Sequence, residues 1–261
     1  MIIDLEPFPA APATSSRCNL VLHCGAQRVN RSDLAQAVTP PPTRTWQPVP
    51  HLSVLQQVEA ALQAVGLETA AQAHSLSHGG NRYFGLLEMA GGSGDHAWVL
   101  GIRNSHDKTF PAGLVAGAQV FVCDNLSFSG EVSFARKHTR YILRDLPSLT
   151  ATAIGRLMEK WHIQETRIHA YRDCRLNDRQ VHDLVIRAVD AGACANQSIP
   201  GVLQHWREPA HAVFRERNAW SLFNAFTEAL KGNLVRLPTR TQILHGLFDH
   251  QVGLAVAEGE R

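Results

Sequence analysis

The sequence contains little lysine and no long apolar run. Lysine occurs only as Lys108, Lys137, Lys160 and Lys231, so 21 of the 25 basic side chains are arginine. A GC-rich coding bias explains this excess of arginine as well as phosphate binding would. The longest apolar stretch, Gly113 to Cys123, has the length of a strand and is too short to span a membrane. We therefore expect no membrane as a partner.

Cysteine is also scarce, and its spacing is irregular. The five cysteines include no C-x-x-C pair, which argues against a zinc ribbon and against a disulfide framework. The N-terminus lacks the basic region and apolar core of a signal peptide, so we expect a cytoplasmic protein. The 44% hydrophobic content can build a real core. The net charge of +2 is too small to indicate nucleic acid by itself.

Proline and hydrophobic periodicity divide the chain into three regions, which we expect to form one compact unit. Residues 1–50 are predicted to be a proline-rich N-terminal arm, because proline removes backbone donors and favours extended conformations. Residues 51–145 are predicted to contain one helix, His51–Val65, and then a sheet core. Residues 146–261 are predicted to be a helical region packed on the sheet, beginning after Pro147.

Five short apolar segments predict the sheet. The polar turns between them are too short to hold crossover helices, so we expect an antiparallel meander of about five strands. Further along the chain, Asn177 and Gln180 nearly match a capping box at the start of a helix. The fold class is therefore α+β, with helices covering one face of the sheet. The predicted strands are Leu67–Ser77, Arg82–Met89, Ala97–Asn104, Leu114–Cys123 and Glu131–His138.

Basic side chains are concentrated at the end of the predicted sheet. The stretch from Arg136 to Arg140 is followed by Arg144, and only Glu131 and Asp145 are nearby acids. Solvated surface charge explains this pattern, and contact with a phosphate backbone is the alternative. Tyr141 is suited to stacking on a base. With two residues from a preceding polar turn, the candidate nucleic-acid-binding residues are Arg103, Lys108, Arg136, Lys137, His138, Arg140, Tyr141 and Arg144.

Two of the 14 histidines are candidates for chemistry. The polar stretch Arg103–Thr109 contains His106 beside Asp107, and a simple hairpin turn explains the same residues. A thiolate at Cys123 with His138 as its base would form a nucleophile, but no protease-type signature accompanies this cysteine. The second enzyme hypothesis is a hydrolase or nuclease using His106, Asp107 and His138, either with or without a divalent metal.

A stretch near the C-terminus combines polar and aromatic residues. If it is helical, Arg217, Ser221, Asn224 and Glu228 share one face. Both a ligand site and a polar face that satisfies a buried neighbour fit this pattern. The opposite face is apolar and consists of Ala219, Phe223, Phe226 and Leu230.

Several of these motifs, taken in order and spacing, resemble a known family. The segments Asn104–Asp107, Cys123–Asn125 and His138–Thr139 are similar to motifs of domain of unknown function 932, a family of phage- and plasmid-type proteins. The strand Arg82–Leu87 and the helix Asn218–Thr227 also resemble family segments. The matching motif residues are Asn104, Ser105, His106, Asp107, Cys123, Asn125, His138, Thr139, Asn218, Trp220 and Asn224.

The resemblance extends from about Arg28 to Leu230 and implies an origin in mobile elements without naming a reaction. At Asp124 this chain departs from the smaller polar residue expected there. Our leading expectation is a protein that binds nucleic acid in replication or recombination, as a single-strand-binding or annealing protein without a cofactor. Ring-forming annealing proteins contain a similar helix-preceded sheet, so a homo-oligomer is compatible with this hypothesis. The alternatives are the hydrolase or nuclease and a host-factor interaction protein that uses the arm.

Overall fold

The computed structural model describes residues 26–90, 96–120, 126–231 and 236–254. Within these ranges the chain forms a six-stranded antiparallel sheet and eight α-helices, which confirms the predicted α+β class. The strands are β1 (Gln27–Val29), β2 (Thr69–Ser77), β3 (Arg82–Met89), β4 (His96–Ser105), β5 (Ala112–Val120) and β6 (Leu126–Arg136). The helices are α1 (Arg31–Gln36), α2 (His51–Ala64), α3 (Ile142–Gly155), α4 (Leu157–Asp173), α5 (Asp178–Asp190), α6 (Ile199–Arg207), α7 (Ala219–Ala229) and α8 (Leu237–Val252).

The sheet is a meander in which every strand pairs with the next one in the chain. The five predicted strands correspond to β2–β6, and β1 is an additional edge strand beside β2. β1 has only three residues and none of them is buried, so it lacks the alternation that identifies a strand in sequence. Tyr83 on β3 lies opposite Asn104 on β4, which places these two side chains on one face of the sheet.

Two apolar cores support this arrangement. The first joins α2 and α3 to the Tyr83 face of the sheet, and the second lies among α4–α8. The partly buried Trp98 contacts both cores, and its ring stacks on Trp161 with a centroid separation of 6.0 Å. The helices therefore fix the sheet mainly from the face that carries Asn104.

A buried polar cluster connects α4 to α8 within the second core. The Tyr171 hydroxyl donates to Asp249 Oδ1 at 2.5 Å, and Arg167 Nε donates to the same carboxylate at 3.0 Å. Burial and the neighbouring carboxylate raise the pKa of Tyr171 well above its ordinary value, so the phenol keeps its proton and remains a donor. None of the described helices is both long enough and apolar enough to cross a membrane.

The helical region begins earlier than the sequence predicts. Helix α3 starts at Ile142 and contains Pro147, whereas the periodicity places the first helix after this proline. Pro147 removes one backbone donor inside the helix, the one that would bond to the carbonyl of Leu143, a residue that is 54% exposed. Burial of Ile142 and Leu146 offsets the lost bond. The capping box is present: Asn177 and Gln180 bond to each other's backbone N–H groups at the start of α5.

Part of the predicted arm is built into the first core. Residues 1–25 lie outside the described ranges, but residues 26–50 contain β1 and α1. Leu34 and Val49 are almost completely buried among the side chains of α2 and the sheet. Trp46 forms an isolated antiparallel bridge with Thr139, and Gln47 N donates to the His138 carbonyl at 2.9 Å. The prolines in this segment keep its backbone extended, and the extended segment still packs a side chain, Val49, into the core.

Candidate functional site

Asn104, at the end of β4, is the centre of a buried hydrogen-bond network. Its Nδ2 donates to the carbonyl of Val49 and to Nδ1 of His51, each at 2.9 Å. Its Oδ1 accepts from Nε2 of His138 at 2.7 Å. Because Asn104 is fully buried, these three bonds satisfy an amide that would otherwise be costly to remove from water.

His51 joins the first turn of α2 to this network. Its Nε2 donates to the Gly80 carbonyl at 2.9 Å, since a carbonyl can only accept. The proton on Nε2 leaves Nδ1 as the acceptor for Asn104. Burial, reinforced by the neighbouring His106, lowers the pKa of His51 to about 3, so the ring is neutral. Sequence reasoning did not single out His51; its only signal is a histidine on the apolar face of a predicted helix.

His106 packs directly against His51. The two rings are stacked with centroids 3.9 Å apart and planes 9° apart. His106 Nε2 donates to the Val49 carbonyl at 2.9 Å, while its buried Nδ1 has no hydrogen-bond partner. The Val49 carbonyl thus accepts from both Asn104 and His106 and anchors residues 43–50 on the sheet.

His138 connects the network to the protein surface. Its Nε2 bonds to Asn104, and its ring packs against the Trp46 ring with centroids 6.5 Å apart and planes at 65°. Burial, together with His106, lowers the pKa of His138 to about 4. The same side chain borders an open cleft, so it is both a core residue and part of the site lining.

The Asn-Ser-His-Asp motif closes the hairpin between β4 and β5. Ser105 Oγ donates to the Phe110 carbonyl at 2.7 Å and accepts from its N–H at 3.1 Å. Asp107 accepts from Arg82 Nε at 2.6 Å and from Thr109 N at 3.1 Å. Burial acts to raise the pKa of Asp107, but bonds from Thr109 and Arg82 outweigh it and lower that pKa. The Asp107 carboxylate therefore stabilises the turn by accepting from Arg82 and Thr109, and these bonds do not join it to the Asn104 network.

An open cleft of about 450 Å³ lies between residues 43–50 and this hairpin. We call it the Trp46 cleft. Lys108 and Lys137 are exposed at its border, and Lys108 Nζ lies 4.8 Å from the centroid of the Trp46 ring. In the described part of the chain neither lysine is paired with a carboxylate. The residues that matter most in its lining are Trp46, Lys108, Phe110, Lys137, His138 and Thr139.

The remaining predicted basic residues divide into exposed and internally bound side chains. The Arg140 and Arg144 guanidinium groups each lie 4.6 Å from the centroid of the Tyr141 ring, which is 45% exposed. Arg136 and Arg144 both pair with Asp145, at 2.6 Å and 2.9 Å, but the Arg144 side chain is 73% exposed and that of Arg136 only 32%. Arg103 is half-buried and lies over the Phe110 ring. Lys108, Lys137, Arg140 and Arg144 therefore form the exposed basic surface.

The polar helix near the C-terminus is a structural element of the second core. Asn218 caps α7 by accepting from Ser221 N, and Asn224 Nδ2 donates to the Trp220 carbonyl at 2.9 Å. The Trp220 ring stacks on Phe223 at 5.8 Å. The predicted shared face is wrong in one respect, because Arg217 precedes the helix with a φ of 52°. It is turned away by pairing with Asp178 at 2.7 Å.

The Tyr83 side chain packs against His51, a member of the Asn104 network. Its ring lies 5.6 Å from that of His51, and its hydroxyl is 3.0 Å from His74 Nδ1. Burial raises the pKa of Tyr83, so the phenol stays protonated and donates. A methyl group at Gly85 would approach the Tyr83 hydroxyl to well under 3.0 Å. Gly85 in the Arg82–Leu87 segment is therefore required for space.

Replacing Gly85 with alanine is expected to lower the free energy of unfolding by about 1–3 kcal/mol, because the added methyl displaces the rigid, buried Tyr83 ring. Urea unfolding monitored by circular dichroism measures this change. Gly155→Ala is the matched control, because a methyl at Gly155 on α3 meets nothing within 4 Å. Equal stability of the two variants would show that Tyr83 adjusts without cost.

Some sequence predictions fall outside the described residues, and one kind of site is not found within them. Cys123, Asp124 and Asn125 are not described, so the proposed thiolate has no structural account. Among the described side chains, no group of three or more His, Cys, Asp or Glu is arranged to hold a metal ion.

Comparison with known proteins gives one result. No curated protein sequence and no solved structure matches the chain. A family model matches residues 42–244, from the segment that carries Trp46 to the middle of α8. This match covers well over half of the chain and contains the whole Asn104 network and the Trp46 cleft. The chain belongs to the family described as Domain of unknown function (DUF932).

Proposed function

We propose that the protein binds single-stranded nucleic acid in the Trp46 cleft and along the adjoining exposed basic surface. The observation that carries this proposal is an indole ring bordered by Lys108 and Lys137 at one open cleft. Proteins that bind single strands combine cations that follow the phosphate backbone with aromatic rings on which bases stack. Both parts are present here within one short stretch of surface.

The charges at this surface support phosphate contact. Two of the four lysines of the chain border the cleft, and among the described residues neither is paired with a carboxylate, so both ammonium groups can contact a ligand phosphate. Arg140 and Arg144 continue the basic surface beside Tyr141, where α3 begins. The small overall charge is therefore compatible with binding, because the cations are locally concentrated.

In this proposal the Asn104 network, which includes His51, His106 and His138, positions the segment that carries Trp46. Asn104 and His106 hold the Val49 carbonyl, which fixes the segment carrying Trp46 against the hairpin that carries Lys108. The resemblance to phage- and plasmid-type proteins suggests a cytoplasmic role in replication or recombination of a mobile element.

Exchanging both cleft lysines for glutamine (Lys108→Gln with Lys137→Gln) is expected to weaken binding of a fluorescent oligo(dT) about tenfold at low salt. The slope of log affinity against log salt should fall by about 1.4, because two phosphate contacts on a single strand are lost. Fluorescence anisotropy across about 50–200 mM salt measures both quantities.

The matched control removes two exposed arginines from the helical region, Arg179→Gln with Arg215→Gln. It changes the net charge equally and should leave the salt slope unchanged. Absence of oligo(dT) binding by the natural protein at low salt would refute the proposed function. An equal loss in both double variants would show that general charge, and not the cleft, governs binding. Incubation of the oligonucleotide with and without a chelator tests the nuclease hypothesis in the same samples.

A further inference from the structure

We infer that Lys108 is a displaceable cover on Trp46, and that the cleft accepts one unpaired base on the indole once Lys108 moves to a phosphate. This inference rests on the proposed function and adds to it the ligand group that the cleft recognises. Lys108 Nζ lies 4.8 Å from the Trp46 ring centroid, a cation–π contact that occupies the ring while no ligand is bound.

The Trp46 ring is held in place before any ligand arrives. The backbone of Trp46 bridges to Thr139, and its ring packs at 65° to the ring of His138, which the Asn104 network fixes. A ring that is already ordered loses little conformational entropy when a base stacks on it. The indole is therefore suited to act as a stacking surface, and Lys108 is the mobile partner.

The backbone at Lys108 supports a use for its side chain. Lys108 has a φ of 63°, a left-handed conformation that glycine adopts without penalty and lysine does not. The turn is closed by both hydrogen bonds between Ser105 and Phe110, so the conformation is imposed by the hairpin. A strained non-glycine residue at the border of a cleft is typical of a functional position.

Replacing Lys108 by a base on the Trp46 ring leaves both the ring and the ammonium group with a favourable contact. A base on Trp46 replaces an exposed cation–π contact with a larger stacking area. The released ammonium then lies near Lys137 and the Thr139 hydroxyl, where the phosphate adjoining the base would be bound. A duplex cannot offer this base without unpairing it, so the cleft should select single strands or unpaired ends.

Two probes separate the base from the backbone: a fluorescent oligo(dT) and an abasic oligonucleotide of the same length and charge. Trp46→Leu is expected to weaken oligo(dT) binding about 5- to 150-fold and to leave abasic binding and the salt slope unchanged. Trp46→Phe should give an intermediate loss. Lys108→Gln should reduce the salt slope for both probes by about 0.7. Thermal unfolding of each variant confirms that it is folded.

The cover itself is tested by quenching Trp46 fluorescence with neutral acrylamide, which the removal of a cation does not repel or attract. The Trp46 signal is isolated by difference in each background: the natural protein minus Trp46→Leu, and Lys108→Gln minus its combination with Trp46→Leu. Acrylamide quenching of the Trp46 signal should be greater in the Lys108→Gln background. If neither probe binds, the proposed function fails. If both probes bind and Trp46→Leu weakens them equally, or if quenching is unchanged, the proposed function stands and the covered base site is refuted.

Discussion

Replacing Asn104 with leucine is expected to lower the free energy of unfolding by about 2–6 kcal/mol. Leucine keeps much of the volume but has no polar atoms. His138 would keep an N–H without its acceptor, and His51 would keep an Nδ1 without its donor, both in the buried interior. Each orphaned group costs about 1–3 kcal/mol, whereas the Val49 carbonyl still accepts from His106.

Urea unfolding near neutral pH measures this loss, with circular dichroism as the probe. Asn196→Leu is the matched control, because Asn196 is exposed in the short turn before α6, and its change should stay within about 0.5 kcal/mol. If Asn104→Leu were as stable as the control, the network would contribute no net stability and the anchoring of residues 43–50 would need another cause.

Acidification is expected to destabilise the protein by about 3 kcal/mol between pH 6.5 and about pH 5. The pKa of His51 is lowered to about 3 and that of His138 to about 4, from an ordinary value of 6.5. The unfolded chain therefore binds more protons than the native state in this window. Stability is complete above pH 6.5 and is lost as the pH falls toward the folded-state pKa values.

The magnitude follows from the size of the shifts. One pH unit within the window corresponds to about 1.4 kcal/mol for each histidine that must stay neutral in the native state. His51 should supply about 2 kcal/mol by about pH 5, and His138 less, because its ring borders the open cleft. His74, whose pKa is also lowered by burial, acts in the same direction.

Unfolding by urea at several pH values down to about 4.5 avoids most of the carboxylate titration. His51→Gln provides the test, because glutamine can donate to the Gly80 carbonyl and accept from Asn104 without titrating. Its pH dependence should be at most about half that of the natural protein. His182→Gln, at an exposed position on α5, should leave the dependence unchanged. Identical curves for His51→Gln and the natural protein would exclude His51 as the source.

The elements of this fold were largely readable from local sequence. Strands β2–β6 follow from apolar segments separated by turns, and the capping box of α5 follows from Asn177 and Gln180. These features depend on neighbours within a few residues. β1 and the start of α3 could not be predicted, because β1 carries no apolar alternation and a proline normally marks the start or end of a helix, whereas Pro147 lies inside α3.

The candidate site was only partly readable for the same reason. The sequence identified Asn104, His106 and His138 as a set through a family resemblance, but not how they meet. Their contact with His51 and with Trp46 depends on pairing β3 with β4 and on the path of residues 43–50. Arg103 and Arg136 looked equivalent to Lys108 and Lys137 in sequence, yet burial over Phe110 and pairing with Asp145 set them apart.

The sequence alone therefore determined the α+β class, the meander and the family, because local periodicity and motif order are properties of the chain. The tertiary structure decided which charges face a cleft and which imidazoles are neutral. Hydrogen bonds such as that from Asn104 to His51, across 53 residues, arise only when distant segments pack together and exclude water. That packing converts three motif residues into a buried anchor and leaves Trp46 and two lysines at the border of an open cleft.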